Sequence, residues 1–147
     1  MGAHPYCYFV KYQPDLDAAL QELREREFQA GRYNPVQPFL DFPIDANAPS
    51  PGAGHDSIDD AREEAAEDGT RSILDIEGIS EERNFCVAAP LTEEELGEYF
   101  GTVHPTKEMI SNNMSFLEDI DRGQCIYIVA YKDDQPSELF FAGYSFD

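Results

Sequence analysis

The chain has 147 residues and a mass of 16.6 kDa, the size of one domain, and its 41% hydrophobic and 12% aromatic content is enough for a core and excludes wholesale disorder. Thirty Asp and Glu against ten Lys and Arg give a formal net charge of −20 and a pI near 4.2. Such a surface repels phosphate backbones and anionic lipid, which excludes direct nucleic-acid binding and disfavours a membrane surface.

Residues 6–12 are aromatic or β-branched almost throughout and read as a strand, with Pro5 placed where it does not interrupt a ladder. Pro14-Asp15 opens a helix over 16–30, with Asp15 as N-cap, an apolar face of Leu16, Ala19, Leu20, Leu23 and Ala30, and Gly31 as the stop. Residues 32–56 carry five prolines and two glycines and read as a long insertion, with a flexible Pro/Gly/Ala loop at about 45–56. Ser57 to Asp68 predicts a short acidic helix ended by Gly69. Arg71–Ile79 and Asn84–Ala89 read as two antiparallel strands. Thr92 caps a helix carrying Leu96, Tyr99 and Phe100, His104-Pro105-Thr106 opens another short one, and Met114–Arg122 reads as helical. Gln124–Tyr131 and Ser137–Phe146 form a hairpin across Lys132-Asp133-Asp134-Gln135-Pro136.

In the first strand of that hairpin Cys125, Tyr127, Val129 and Tyr131 share one face and Ile126, Ile128 and Ala130 the other. Both faces are apolar, so the strand is central in a sheet or its outer face is a contact in a homo-oligomer. The element order predicts a single α+β domain over 1–147: an antiparallel or mixed sheet of about five strands, helices packed mainly on one face, and a long Pro/Gly-rich insertion.

Patterns that carry chemistry are few. No Gly-rich phosphate loop follows a strand, no Gly-x-Ser-x-Gly element is present, and His4 with Cys7 lacks the second pair that a structural zinc site needs. No cofactor or metal is expected. The three cysteines are scattered in apolar runs and read as free thiols of a reducing compartment, the cytoplasm. No run approaches the roughly 18 apolar residues of a spanning helix, the N-terminus lacks the regions of a signal peptide, and Tyr6 stands where a myristoylation signal needs Ser or Thr.

The charge is uneven. Residues 1–40 hold four basic and five acidic residues, whereas 41–147 hold six and twenty-five. The near-neutral part also concentrates Arg, Tyr and Asn at the end of the first helix. Arg24, Arg32, Tyr33 and Asn34 are therefore candidate binding residues, because Arg and Tyr dominate binding hot spots. His104, before a proline at a helix start, is a fifth, since a helix dipole keeps such an imidazole neutral. Two functions fit. One is a non-enzymatic interaction or regulatory domain, inhibitor- or immunity-like, whose acidic part meets a basic protein partner. The other is a small-molecule-binding domain or small enzyme, with a pocket near the helix ending at Gly31, lidded by residues 35–56.

Overall fold

The structure is a computed structural model that describes residues 5–33, 50–64 and 72–144. Five strands form one sheet: β1 (Pro5–Lys11), β2 (Gly78–Ile79), β3 (Val87–Pro90), β4 (Cys125–Lys132) and β5 (Gln135–Tyr144), in the order β1-β5-β4-β3-β2. β5 is antiparallel to β1 and β4, while β4, β3 and β2 pair in parallel. The sheet is thus mixed, β5 alone running against the rest, and the α+β class is the one the sequence implies.

Among the described residues four helices accompany it: α1 (Leu16–Ala30), α2 (Ile58–Glu64), α3 (Glu93–Phe100) and α4 (Lys107–Asn112), with 3-10 turns at Ile73–Asp75 and Ser115–Asp119. They divide between the two faces instead of gathering on one. Tyr6, Tyr8, Cys125, Leu139 and Phe141 pack with α1, α2 and the first 3-10 turn. The alternate residues Cys7, Ile126, Ile128, Phe140 and Ala142 pack with α3, α4 and the second turn. The cause is the period of a strand, which sends successive side chains to opposite faces; here both sets are apolar and both need cover. β4 is the middle strand, as its two apolar faces imply. Its Ile126, Ile128 and Ala130 face is buried, whereas on the other face Cys125 is buried and Tyr127, Val129 and Tyr131 are partly buried.

α1 begins and ends where its sequence directs. The Asp15 carboxylate accepts the Ala18 N–H at 3.0 Å, and Gly31 adopts φ 77° at the C-cap. α3 carries a reciprocal capping box between Thr92 and Glu95. The β4–β5 turn is the two residues Asp133 and Asp134, both at positive φ, with Lys132 opposite Gln135.

Two expectations are corrected. Residues 71–79 do not form one strand: Ile73–Asp75 is a 3-10 turn and only Gly78–Ile79 extends. β3 runs parallel to β2, not antiparallel, after a link of residues 80–86 in which Cys86 takes φ 63°. The described part of the acidic helix is Ile58–Glu64, and residues 65–69 lie outside the described residues. Met114–Arg122 contains only the 3-10 turn Ser115–Asp119.

Candidate functional site

Of the five residues singled out by sequence, four are described, and the structure does not bring them to one place. Arg32 and Tyr33 follow the end of α1 and meet residues 50–55, while Arg24, in the middle of α1, reaches the 3-10 turn at Leu74. His104 lies by the β4–β5 turn, where it stacks on Tyr131 with ring centroids 4.2 Å apart and its Nδ1 is 3.1 Å from Asp134 Oδ1. Asn34 lies outside the described residues, as do residues 35–49 of the proposed lid.

Both arginines are engaged internally. Arg32 is 8% exposed, and it donates from Nε and NH2 to the two oxygens of Glu27 at 2.8 and 2.7 Å. Its NH1 donates to Ser50 Oγ at 2.8 Å. Glu27 is 0% exposed, and a buried carboxylate needs such a fork. The hydrogen bond to Glu27 raises the Arg32 pKa above its ordinary value, against the opposing effect of burial. Arg24 donates to Gln21 Oε1 at 2.8 Å and to the Leu74 carbonyl at 2.9 Å, tying α1 to the turn over the sheet. Burial lowers the Arg24 pKa, with the Arg62 charge adding to the effect.

Tyr33 is the middle of a second tie. Its hydroxyl is 2.7 Å from His55 Nδ1 and accepts the Gly54 N–H at 3.0 Å, and His55 Nε2 is 2.5 Å from Glu64 Oε2. The neutral Nε2–H tautomer of His55 satisfies all of these at once: Tyr33 O–H donates to Nδ1, and Nε2–H donates to Glu64. Gly52 N–H donates to the Ala30 carbonyl at 2.9 Å. A Cβ on Gly31 would stand 2.1 Å from the Gly52 oxygen, so the close approach of the two strands of chain needs glycine there. The helix end is therefore covered by residues 50–55, with an open depression beside Ala53, Gly54, His55 and Asp60.

The carboxylates of residues 56–98 occupy both sides of the sheet and meet at its β2 edge. α2 is on one side, with Asp59, Asp60 and Glu63 exposed; α3 is on the other, with Glu93, Glu94 and Glu98 exposed. The link of residues 80–86 joins them around the edge and adds exposed Glu81 and Glu82. Two ion pairs hold this rim together. Arg62 binds Glu77 at 2.8 Å and Arg83 binds Glu95 at 2.6 Å. The Arg62 hydrogen bond and charge hold the Glu77 carboxyl below its usual range. Glu95, against the effect of its partial burial, is held down too, by Thr92 and Arg83. Among the described residues, the eight exposed carboxylates just named make no ion pair. Phe85 stands in the same link, 56% exposed.

A cleft of about 450 Å³ opens between the end of β1 and the middle of α1, lined in part by Lys11, Tyr12, Glu22 and Arg26. No group of three or more His, Cys, Asp or Glu among the described residues could hold a metal ion. No described helix is long and apolar enough to cross a membrane.

Sequence reasoning missed Glu27, His55 and Glu64. A signal for Glu27 was present: it continues the stripe of Leu16, Leu20 and Leu23 at helical spacing, and an acid on an apolar stripe needs a buried cation. His55 and Glu64 give none, because Tyr33, which His55 meets, is 22 residues away across a stretch read as loop, and His55 and Glu64, nine residues apart, follow no helical or strand period that would pair them. No family model, curated protein or solved structure matches this chain.

Proposed function

We propose that this chain is a non-enzymatic interaction or regulatory domain, inhibitor- or immunity-like, that engages a basic protein partner in the cytoplasm. The observation that carries the reading is the rim along the β2 edge. Eight exposed carboxylates from α2, the 80–86 link and α3 have no basic partner among the described residues, and an exposed phenylalanine stands among them. Acid on the periphery attracts a basic surface from a distance, while an aromatic side chain supplies the contact that water is excluded from. The two ion pairs stiffen the rim, so that little order has to be gained on binding. Cys7, Cys86 and Cys125 are free thiols, two of them buried, which supports a reducing compartment. The candidate arginines Arg24 and Arg32 fit this reading as internal ties of the scaffold.

The test is capture from a cell lysate on two columns, one carrying the wild-type chain and one carrying Glu81→Gln, Glu82→Gln and Phe85→Ala together. All three positions are exposed, so the substitutions leave the core intact. The expected result is a basic protein that leaves the wild-type column as salt rises and that the triple variant fails to hold. A partner held equally by both columns, or no specific partner on either, overturns the reading.

A further inference from the structure

We propose that the cleft between the end of β1 and the middle of α1 binds a small zwitterion, a free α-amino acid with an apolar side chain. The cleft measures about 450 Å³, inside the range of roughly 300–1,000 Å³ typical of small-ligand sites. Two periodicities decide which side chains face it. On α1, Ala19, Glu22, Leu23 and Arg26 recur at the three- and four-residue spacing of one helix face, and all four line the cleft. On β1, alternation sends Val10, and Tyr12 just beyond the strand, to the α1 side, where both pack on the core that α1 shares. The same alternation turns Lys11 to the α4 side, opposite Glu138, which Lys107 of α4 approaches at 3.4 Å, so the Lys11 charge does not belong to the cleft.

The cleft therefore offers one anionic and one cationic side chain beside an apolar floor of Val10, Ala19 and Leu23. Glu22 and Arg26 are four residues apart on α1, in the favourable order for an ion pair, yet they do not pair. Each is held aside by another neighbour. Glu22 Oε2 accepts the Gln13 side-chain N–H at 2.8 Å, and Arg26 Nε donates to Glu27 Oε2 at 3.0 Å. Among the described residues this leaves Glu22 Oε1 without a donor and the terminal nitrogens of Arg26 without an acceptor. An ammonium and a carboxylate on one carbon atom fit that gap, the ammonium donating to Glu22 and the carboxylate accepting from the planar guanidinium. Side chains at this spacing leave the helix about 5–6 Å apart at Cβ, so both can reach one such head group. The two wall charges cancel, so an anion has no surplus to offset the −20 of the whole chain, and a cation meets Arg26. A zwitterion meets neither penalty. Tyr12 and the floor suit an aryl or branched alkyl side chain. The site is separate from the acidic rim, since β1 and β2 are opposite edges of the sheet.

The probe is L-phenylalanine, with three comparators. 3-Phenylpropanoate lacks the ammonium, 2-phenylethylamine lacks the carboxylate, and glycine lacks the aryl body. Each is titrated into the full chain in about 0.15 M salt, which screens the field of the whole molecule, and followed by backbone amide NMR. With phenylalanine, the signals of Val10, Gln13, Glu22 and Arg26 are expected to shift and saturate. The two single-headed comparators should each bind about fivefold more weakly, the loss of one charge-assisted contact at an open rim, and glycine more than about tenfold. Glu22→Gln should weaken phenylalanine about fivefold and leave 3-phenylpropanoate no weaker. Arg26→Gln should weaken phenylalanine about as much and leave 2-phenylethylamine no weaker. Lys11→Gln should leave phenylalanine unchanged. The folded spectrum of each variant checks that the scaffold is retained. Equal binding of either single-headed comparator, shifts that do not saturate, saturation at other residues, or indifference to both Glu22→Gln and Arg26→Gln overturns the proposal.

Discussion

Glu27 shows how one residue organises a helix end. It is fully buried, and Arg32 closes on it with a two-pronged hydrogen bond while Arg26 reaches it from the rim. A buried pair of this kind is costly to break from one side, because the remaining charge is left without a counter-charge or water. Glu27→Ala is expected to destabilise the fold by about 3–5 kcal/mol in urea denaturation at neutral pH. Replacing both partners at once, Glu27→Leu with Arg32→Met, is expected to recover most of that loss, since no buried charge is left unpaired and Arg26 stays exposed to water. A double variant as unstable as the single one would mean that Arg32 acts mainly through Ser50 and the segment it holds. At this scale the sequence is partly legible. Asp15, Thr92 and Gly31 are found where capping rules put them, because those rules depend on neighbours within four residues. The Tyr33–His55–Glu64 tie is not, because nothing local in any of the three marks its partner.

Elements are legible where periodicity is long and obscure where it is short. α1 spans the residues expected because five apolar positions repeat at helical spacing across fifteen residues. The hairpin is found because alternation continues over eight residues of β4 and because an Asp-Asp pair marks the turn. Between residues 72 and 90 the apolar run Ile73, Leu74 and Ile76 is wholly buried, so it shows no alternation that could separate a strand from a 3-10 turn. The parallel register of β2 and β3 follows from a link too short to be recognised as a crossover. The β4–β5 turn offers its own test. Positive φ at two successive residues is the geometry of a type I′ turn, which favours Asn and then Gly over two aspartates. Asp133→Asn with Asp134→Gly should raise stability by about 1 kcal/mol, through relief of left-handed strain and of like-charge repulsion. Thermal unfolding would read this as a higher midpoint. A lower midpoint would show that the Asp134 contact with His104 contributes more than the turn geometry costs.

For the whole molecule, two forces vary with pH, and they can be separated. One is self-repulsion of a chain at −20, which acts through solvent and is weakened by salt. The other is burial of neutral acids in the two cores that flank the sheet. Burial pushes the Cys7 and Cys125 thiols up to about 12, and the Tyr6 and Tyr8 phenols well above their ordinary value. These groups keep their protons when folded and lose them at ordinary pH values when unfolded. Between about pH 8.5, where an unfolded thiol ionises, and about 12, the unfolded chain therefore binds fewer protons than the folded one. Stability is complete below that window and falls as pH rises through it, by up to about 1.4 kcal/mol per pH unit for each group that differs. Self-repulsion also grows in this range as lysines discharge, so the alkaline loss alone would not identify its cause. Salt does, because it screens exposed charge and leaves the desolvation of a buried thiolate unchanged. The expected outcome in urea denaturation from pH 7 to 11 is a decline that persists in half-molar sodium chloride. Cys7→Ala with Cys125→Ala should flatten its part below about pH 10, leaving the steeper phenol limb above it. A decline abolished by salt and unaltered by the double substitution would assign it to the acidic surface. The two apolar cores would then tolerate their ionisable groups far better than their burial implies.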